Sequence, residues 1–352
     1  MPRATIDSSA LRHNLAVVQR FAPTARVIAI IKANAYGHGI VETARVLAEA
    51  DAFGVARLEE GLALRAAGID KRIVLLEGVF SVDELNAAAR GNLEIVVHTL
   101  EQIELLERCA DAQRFSVWLK IDTGMNRLGF RVEEFSTAWE RLAQIKPAIV
   151  RLMTHLAAGE VHDGAMSRAQ IERFLALGVE LKIERSIANS AGLILCSDAR
   201  ADWVRPGLML YGISPLPHVS AAEIGLRPVM TLTTQLISVR QVRAGESVGY
   251  NGIWRAAQDA TIGIAAVGYG DGYPRNMRSG TPVLVNGRET IVVGRVSMDM
   301  TAIDITGFDA RIGDTVTLWG QGLPAERVAP FADTIGYELV CGISQRVEVE
   351  WQ

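Results

Sequence analysis

The sequence predicts an α/β fold, a (β/α)8 barrel followed by a C-terminal mainly-β domain, on three observations. Short β-branched runs alternate with amphipathic helical stretches from Val27 to about Tyr211. Eight such runs can be counted, the number that closes a parallel sheet on itself through right-handed crossovers. After about Arg227 the pattern changes to strands of period two joined by tight turns. With 352 residues, 49% of them hydrophobic, the chain is long enough for two cores. The expected division is 1–227 for the barrel and 228–352 for the β-domain, with the extreme N-terminal strand pairing with the latter.

In order, the eight strands are VIAII (27–31), AFGVA (52–56), RIVLL (72–76), EIVVH (94–98), SVWLKI (116–121), VRLMTH (150–155), RSIAN (185–189) and WVRPGLMLYG (203–212). Runs this apolar read as strands covered on both faces. The stretches between them, such as VETARVLAEA, SVDELNAAARG and MSRAQIERFLALG, carry apolar residues at three- and four-residue spacing. Two of the helices close on glycine, at Gly68 and Gly91. In the second domain, TLTTQLISVRQV, TIGIAAVGYG, TPVLVNGRETIVVGRV, TAIDIT, DTVTLWG and QRVEVEW read as strands, with Asn286-Gly287 as a hairpin turn. Only PAERVAPFADTIG reads as a helix there.

Composition narrows the function. A formal net charge of -4 leaves no basic surface for phosphate-driven nucleic-acid binding. The N-terminus lacks an apolar signal core, and no apolar run approaches the roughly 18 residues of a membrane span, so a cytoplasmic protein is expected. Cys109, Cys196 and Cys341 are far apart and form no CxxC pair, which argues for reduced thiols rather than a disulfide framework or a zinc site.

In barrels the reacting groups sit where the strands end, because the loops there share one mouth. Lys32 ends the first strand. Lys120 and Asp122 end the fifth, His155 the sixth, Asn189 and Ser190 the seventh, and Arg205 and Gly207 lie in the eighth. Each has an ordinary alternative: a rim lysine, a Lys120–Asp122 ion pair, a satisfied core histidine, a helix N-cap, an arginine paired with a carboxylate across the barrel. One anion-binding mouth explains them together, since unpaired buried charges are costly. Pyridoxal phosphate fits best: its aldehyde needs an amine, which Lys32 supplies as a Schiff base, and its phosphate needs N–H donors and hydroxyls. Ser190 and the backbone near Gly207 suit the phosphate, and Tyr36 adds a hydroxyl. Arg205 is left for the pyridine nitrogen. A guanidinium does not give that nitrogen a proton, and the weaker electron sink that results favours racemisation over transamination.

These residues lie in motifs that resemble the alanine racemase family, the barrel-type group of pyridoxal phosphate enzymes. KANAYGHG at Lys32, KIDTGMNRLGF at Lys120, MTHLA around His155, ANSAG at Asn189, RPGLMLYG at Arg205, VGYGDGYPR around Tyr269 and VSMDM at Met298 follow the family's order across both domains. Interconversion of L- and D-alanine by two-base Cα proton transfer through a pyridoxal phosphate aldimine is what the resemblance implies, for peptidoglycan supply or alanine catabolism. Lys32 and Tyr269 are then the two bases. The resemblance places Tyr36, Ser190, Gly207, Leu208 and Tyr337 at the phosphate, and Arg205 at the ring nitrogen with His155 and Asn189 nearby. It places Arg127 and Met298 at the substrate, supported by Asp299. Lys120 corresponds to a lysine that is often carbamylated and orients the arginine.

Inversion of a stereocentre needs a proton removed from one face and another delivered to the opposite face. Free tyrosine has a pKa near 10, so Tyr269 needs help, which a His155 linked to Arg205 can give. Because Tyr269 is remote from Lys32, the resemblance implies a head-to-tail homodimer in which Tyr269 and Met298 complete the neighbour's site. Competing readings are weaker. GYGDG lacks GxGxxG spacing and Pro274 follows it, and the six histidines form no metal-ligand spacing. A broader amino-acid racemase, a barrel-type decarboxylase and a non-catalytic pyridoxal phosphate carrier remain the alternatives.

Overall fold

The computed structural model describes residues 1–161 and 164–352. Eight parallel strands close the barrel: Arg26–Ile30, Ala52–Val55, Arg72–Leu75, Glu94–Val97, Ser116–Asp122, Ile149–Met153, Arg185–Asn189 and Trp203–Arg205. The first pairs with the eighth, and the fourth with the fifth, which closes the sheet. The expected strands are all present. The last is shorter than read, because Pro206 lacks an N–H for the ladder, and Leu208–Tyr211 winds into a 3-10 turn. The glycine stops also differ. Gly68 is left-handed, but after the helix Val82–Arg90 it is Asn92, one residue beyond Gly91, that takes a positive φ.

Polar residues gather at the barrel floor, where the strands begin. Glu94 accepts from Arg72 Nε at 2.6 Å and Trp118 Nε1 at 2.7 Å. Glu184 accepts from Arg151 Nε and Arg26 NH2, both at 2.5 Å, and from Trp203 Nε1 at 3.0 Å. Arg151 is buried and also lies 3.5 Å from Glu94, so it joins the two carboxylates. Against the upward pull of burial, the hydrogen bonds from Arg26, Arg151 and Trp203 hold the Glu184 carboxyl down at about 2. Glu184 is therefore a carboxylate at neutral pH. Breaking a buried pair by removing one partner costs about 3–5 kcal/mol, so Arg151→Met is expected to destabilise the fold by that much. Denaturant unfolding checks this, and a loss under about 1 kcal/mol would show the network to be solvated.

The second domain is built on the long strand Met230–Val242. It pairs with Ala260–Ala265 and Thr315–Trp319, and through Pro282–Val285, Arg288–Val292 and Thr301–Asp304 the sheet closes on itself, each of these pairings being antiparallel. Asn286 and Gly287 form the two-residue hairpin turn with φ of 49° and 80°, the positive pair that a type I′ turn requires. Arg3–Ile6 belongs to this sheet: it lies antiparallel to Met230–Thr233 and parallel to Glu348–Trp351. PAERVAPFADTIG forms a short helix, Ala325–Val328, and a 3-10 turn. A second helix, Gly336–Cys341, was not expected, and it carries Tyr337 to the barrel mouth. Among the described residues no helix is long and apolar enough to cross a membrane.

Candidate active site

At the C-terminal ends of the strands lies a cavity of about 480 Å³. Lys32, Lys120, Arg127, His155, Asn189, Ser190, Arg205 and Gly207 all line it, as do Tyr36 and Tyr337. Leu208 does not; it is buried at the start of the adjoining 3-10 turn. Glu77, which the sequence did not single out, and Cys341, read there only as a reduced thiol, also line the cavity. The signal for Glu77 was available: it follows the third strand, at the same kind of strand end as Lys32.

After Lys32 the backbone does something unusual. Ala33, Asn34, Ala35 and Tyr36 all have φ between 52° and 54°, a left-handed turn made by four residues that carry a Cβ. Each such residue costs roughly 1–2 kcal/mol, so tertiary contacts must hold the turn. Glu60 accepts from Ala33 N at 2.6 Å. Asn34 Oδ1 accepts from Ile40 N at 3.0 Å. His38, fully buried, has its Nδ1 3.0 Å from Ala35 O and 2.9 Å from Tyr36 O. The turn places the Tyr36 ring against Tyr211, 4.7 Å between centroids, with its hydroxyl over Gly207. A Cβ on Gly207 would meet that oxygen at 2.6 Å, so only glycine leaves the space open. Burial pushes the Tyr36 hydroxyl well up, keeping it a donor.

Ser190 follows the N-cap Asn189, whose Oδ1 accepts from Gly192 N at 2.9 Å. Its own hydroxyl accepts from Gly207 N at 2.9 Å, which draws the loop after the eighth strand to the start of this helix. The result brings the Ser190 hydroxyl, the Gly207 backbone and the Tyr36 hydroxyl together on the cavity wall.

Among the described residues Arg205 pairs with no carboxylate. It donates to Ser186 Oγ and Thr154 O, both at 2.5 Å, and to Ile187 O at 3.1 Å, with His155 Nδ1 at 3.4 Å. Burial lowers its pKa to about 10, so it stays cationic at neutral pH. His155 is pushed well below its usual range by burial, then by Arg205, Lys120, Arg127 and Lys32, and is therefore neutral. The Lys120–Asp122 ion pair is also absent: the Asp122 carboxylate is occupied by the backbone N–H groups of Gly124, Met125 and Arg127 at 2.8–2.9 Å, which shapes the loop bearing Arg127. Burial, helped by Arg205, Arg127 and Lys32, brings the Lys120 amine down to about 8.

Tyr269 and Met298 lie outside the cavity of this chain, and both are exposed. They are neighbours on the β-domain. Tyr269 N donates to Ser297 O at 3.0 Å, and Gly270 N to Met298 O at 2.9 Å. Arg346 ties the two segments together, 3.3 Å from Asp271 and 2.7 Å from Asp299.

A barrel whose mouth gathers lysine, arginine and histidine side chains around one cavity, joined to a β-domain, defines a two-domain barrel protein with its candidate site at the strand ends. Residues 6–215 match the family model described as alanine racemase, N-terminal domain, and residues 229–351 match alanine racemase, C-terminal domain. The chain belongs to the alanine racemase family. The alanine racemase of Aeromonas hydrophila subsp. hydrophila is 50% identical over 351 residues, 99% of this chain and 98% of that protein. A crystal structure of biosynthetic alanine racemase from Pseudomonas aeruginosa superposes with a TM-score of 0.97 at 44% identity, covering 100% of this chain and 99% of that one. Alanine racemase from Bartonella henselae, solved with covalently bound pyridoxal phosphate, matches with a TM-score of 0.90 at 30% identity, over 100% of this chain and 99% of its own.

Proposed function

We propose that this protein interconverts L-alanine and D-alanine in the cytoplasm as a homodimer, with pyridoxal phosphate held at the barrel mouth. One observation carries the reading: in a chain of this family, Lys32 lines the same cavity as Ser190, Gly207 and Arg127. The residues fit the cofactor. Lys32 is the amine that would hold its aldehyde; Ser190, Tyr36 and Tyr337 would hold its phosphate, with Gly207 giving it room and the backbone of Leu208, whose side chain is turned from the cavity, behind it; Arg205 would meet its ring nitrogen, with His155 and Asn189 alongside. When bound, the group supplies an electron sink for the charge left at the substrate Cα.

The chain's own residues would supply the rest. Lys32 Nζ would take or give the Cα proton on one face. Tyr269 Oη, from a second copy of the chain, would serve the opposite face, with Met298 beside it and Asp299 holding their common segment through Arg346. Exposure of Tyr269 and Met298 supports this assignment, since an isolated chain leaves them with nothing to act on. Arg205, cationic and anchored by three acceptors, cannot accept a proton at neutral pH. Arg127 would bind the substrate carboxylate bidentately.

Lys120 stands among Lys32, Arg127 and Arg205, a concentration of positive charge that an added anion would relieve. Its uncharged fraction grows as the pH rises through about 8, and only the free amine adds carbon dioxide. A carbon-13 carbamate signal after incubation with labelled bicarbonate is expected to grow from pH 7 to 9 and to vanish in Lys120→Ala. A signal independent of pH or of Lys120 would refute the assignment.

The function is tested by incubating L-alanine with the protein and pyridoxal phosphate in heavy water. D-alanine carrying deuterium at Cα is expected. Release of carbon dioxide, or unchanged L-alanine, would overturn the reading in favour of a decarboxylase or a carrier.

A further inference from the structure

We propose that His38 is a positioning residue for the cofactor: its Nδ1–H, donated to the carbonyls of Ala35 and Tyr36, fixes the left-handed turn that aims the Tyr36 hydroxyl and the Lys32 amine into the cavity. The inference rests on the preceding reading of Lys32 and Tyr36.

Four observations carry it. The turn is strained at four successive residues, so it persists only while something restrains it. His38 reaches two of the four carbonyls, at 3.0 and 2.9 Å. Both partners are acceptors, so Nδ1 must carry the proton and the ring is fixed as that tautomer. The ring is fully buried and packs on Tyr211 at 4.6 Å between centroids, while the Tyr211 hydroxyl donates to Ile30 O at 2.9 Å. Ile30 ends the strand that delivers Lys32, so the same ring is referred to both sides of the lysine.

The other ring nitrogen separates this role from a merely structural one. Nε2 is buried and has no hydrogen-bond partner among the described residues. A histidine kept for packing alone would be equalled by an apolar ring, and one kept for a donor at the far nitrogen would show a partner there. Burial keeps the ring neutral, against the pull of the Tyr36 and Ala35 carbonyls. His38 does not itself line the cavity and meets Tyr36 only at the backbone, so it acts through the turn.

The test compares three variants of the holoenzyme. Asparagine sets an amide N–H close to the position of Nδ1, glutamine sets one near Nε2, and phenylalanine keeps the ring without a donor. His38→Phe and His38→Gln are expected to weaken pyridoxal 5'-phosphate binding by at least about tenfold, as read by equilibrium dialysis, and to diminish the visible circular-dichroism band of the bound cofactor. They are expected to lower kcat more than they change KM. His38→Asn is expected to stay within roughly threefold of the parent protein in all three readings. If asparagine performs no better than glutamine and phenylalanine, or if phenylalanine leaves binding and the spectrum unchanged, the proposal is overturned. In the unsubstituted protein, nitrogen-15 NMR should find the His38 proton on Nδ1 and slow to exchange. A proton on Nε2 would overturn the proposal even if every variant fails to fold. Failure of the parent protein to bind pyridoxal 5'-phosphate would instead overturn the reading of Lys32, a distinct outcome.

Discussion

Lys32→Ala is expected to lower racemisation by at least about 10⁴-fold, because it removes the covalent hold on the cofactor and the proton acceptor of one face together. The half-buried side chain lies on the cavity wall rather than in the core, so the variant should fold. Its melting temperature should stay near that of the parent, while desalting strips the cofactor that the parent retains. Racemisation within about tenfold of the parent, with the cofactor still bound, would show that another amine does this work. Lys120 is the one to suspect, since it lines the same cavity and burial brings its amine down to about 8.

Mixed dimers give the second large effect. Lys32→Ala and Tyr269→Phe chains should each be nearly inactive alone. If Tyr269 serves the neighbouring barrel, a mixed dimer has one site with both defects and one with neither. Free exchange of subunits at equal concentration should therefore restore about one quarter of the parent activity, since half the dimers are mixed and half their sites are intact. If lysine and tyrosine act within one chain, no mixed dimer has an intact site and mixing restores nothing. Tyr269→Phe alone should slow one direction of Cα exchange in heavy water more than the other, because it removes the group on a single face. Equal slowing in both directions would exclude a face-specific role.

The barrel was legible in the sequence because its strands are covered on both faces, and continuous β-branched runs have few other uses. The lining of the mouth was legible for a related reason: lysine, histidine and arginine at the ends of such runs are out of place unless they share a site. What escaped reading depends on contacts between distant segments. Nothing in Ala33-Asn34-Ala35-Tyr36 beyond the asparagine favours a positive φ, and the turn exists because Glu60 and His38 hold it. Arg72, Glu94, Arg151 and Glu184 look like solvated strand starts until the barrel closes and brings them face to face. Gly336–Cys341 is six residues long, too short for a periodic pattern, so the element that delivers Tyr337 was missed even though Tyr337 itself was named from its family likeness. Pro206 should have ended the eighth strand, and the apolar run after it was misleading.

The N-terminal strand Arg3–Ile6 threads between Met230–Thr233 and Glu348–Trp351, while the chain that joins them forms the entire barrel. The barrel is thus an insertion within the β-domain's sheet, bracketed on both sides by strands that belong to its companion. Because Arg3–Ile6 lies in the β-domain's sheet, the barrel is tied to that sheet at both of its ends, and calorimetry should record a single cooperative melting event rather than two. A protein cut at the apparent junction would leave Met230–Val242 with a bare edge exposed to self-association.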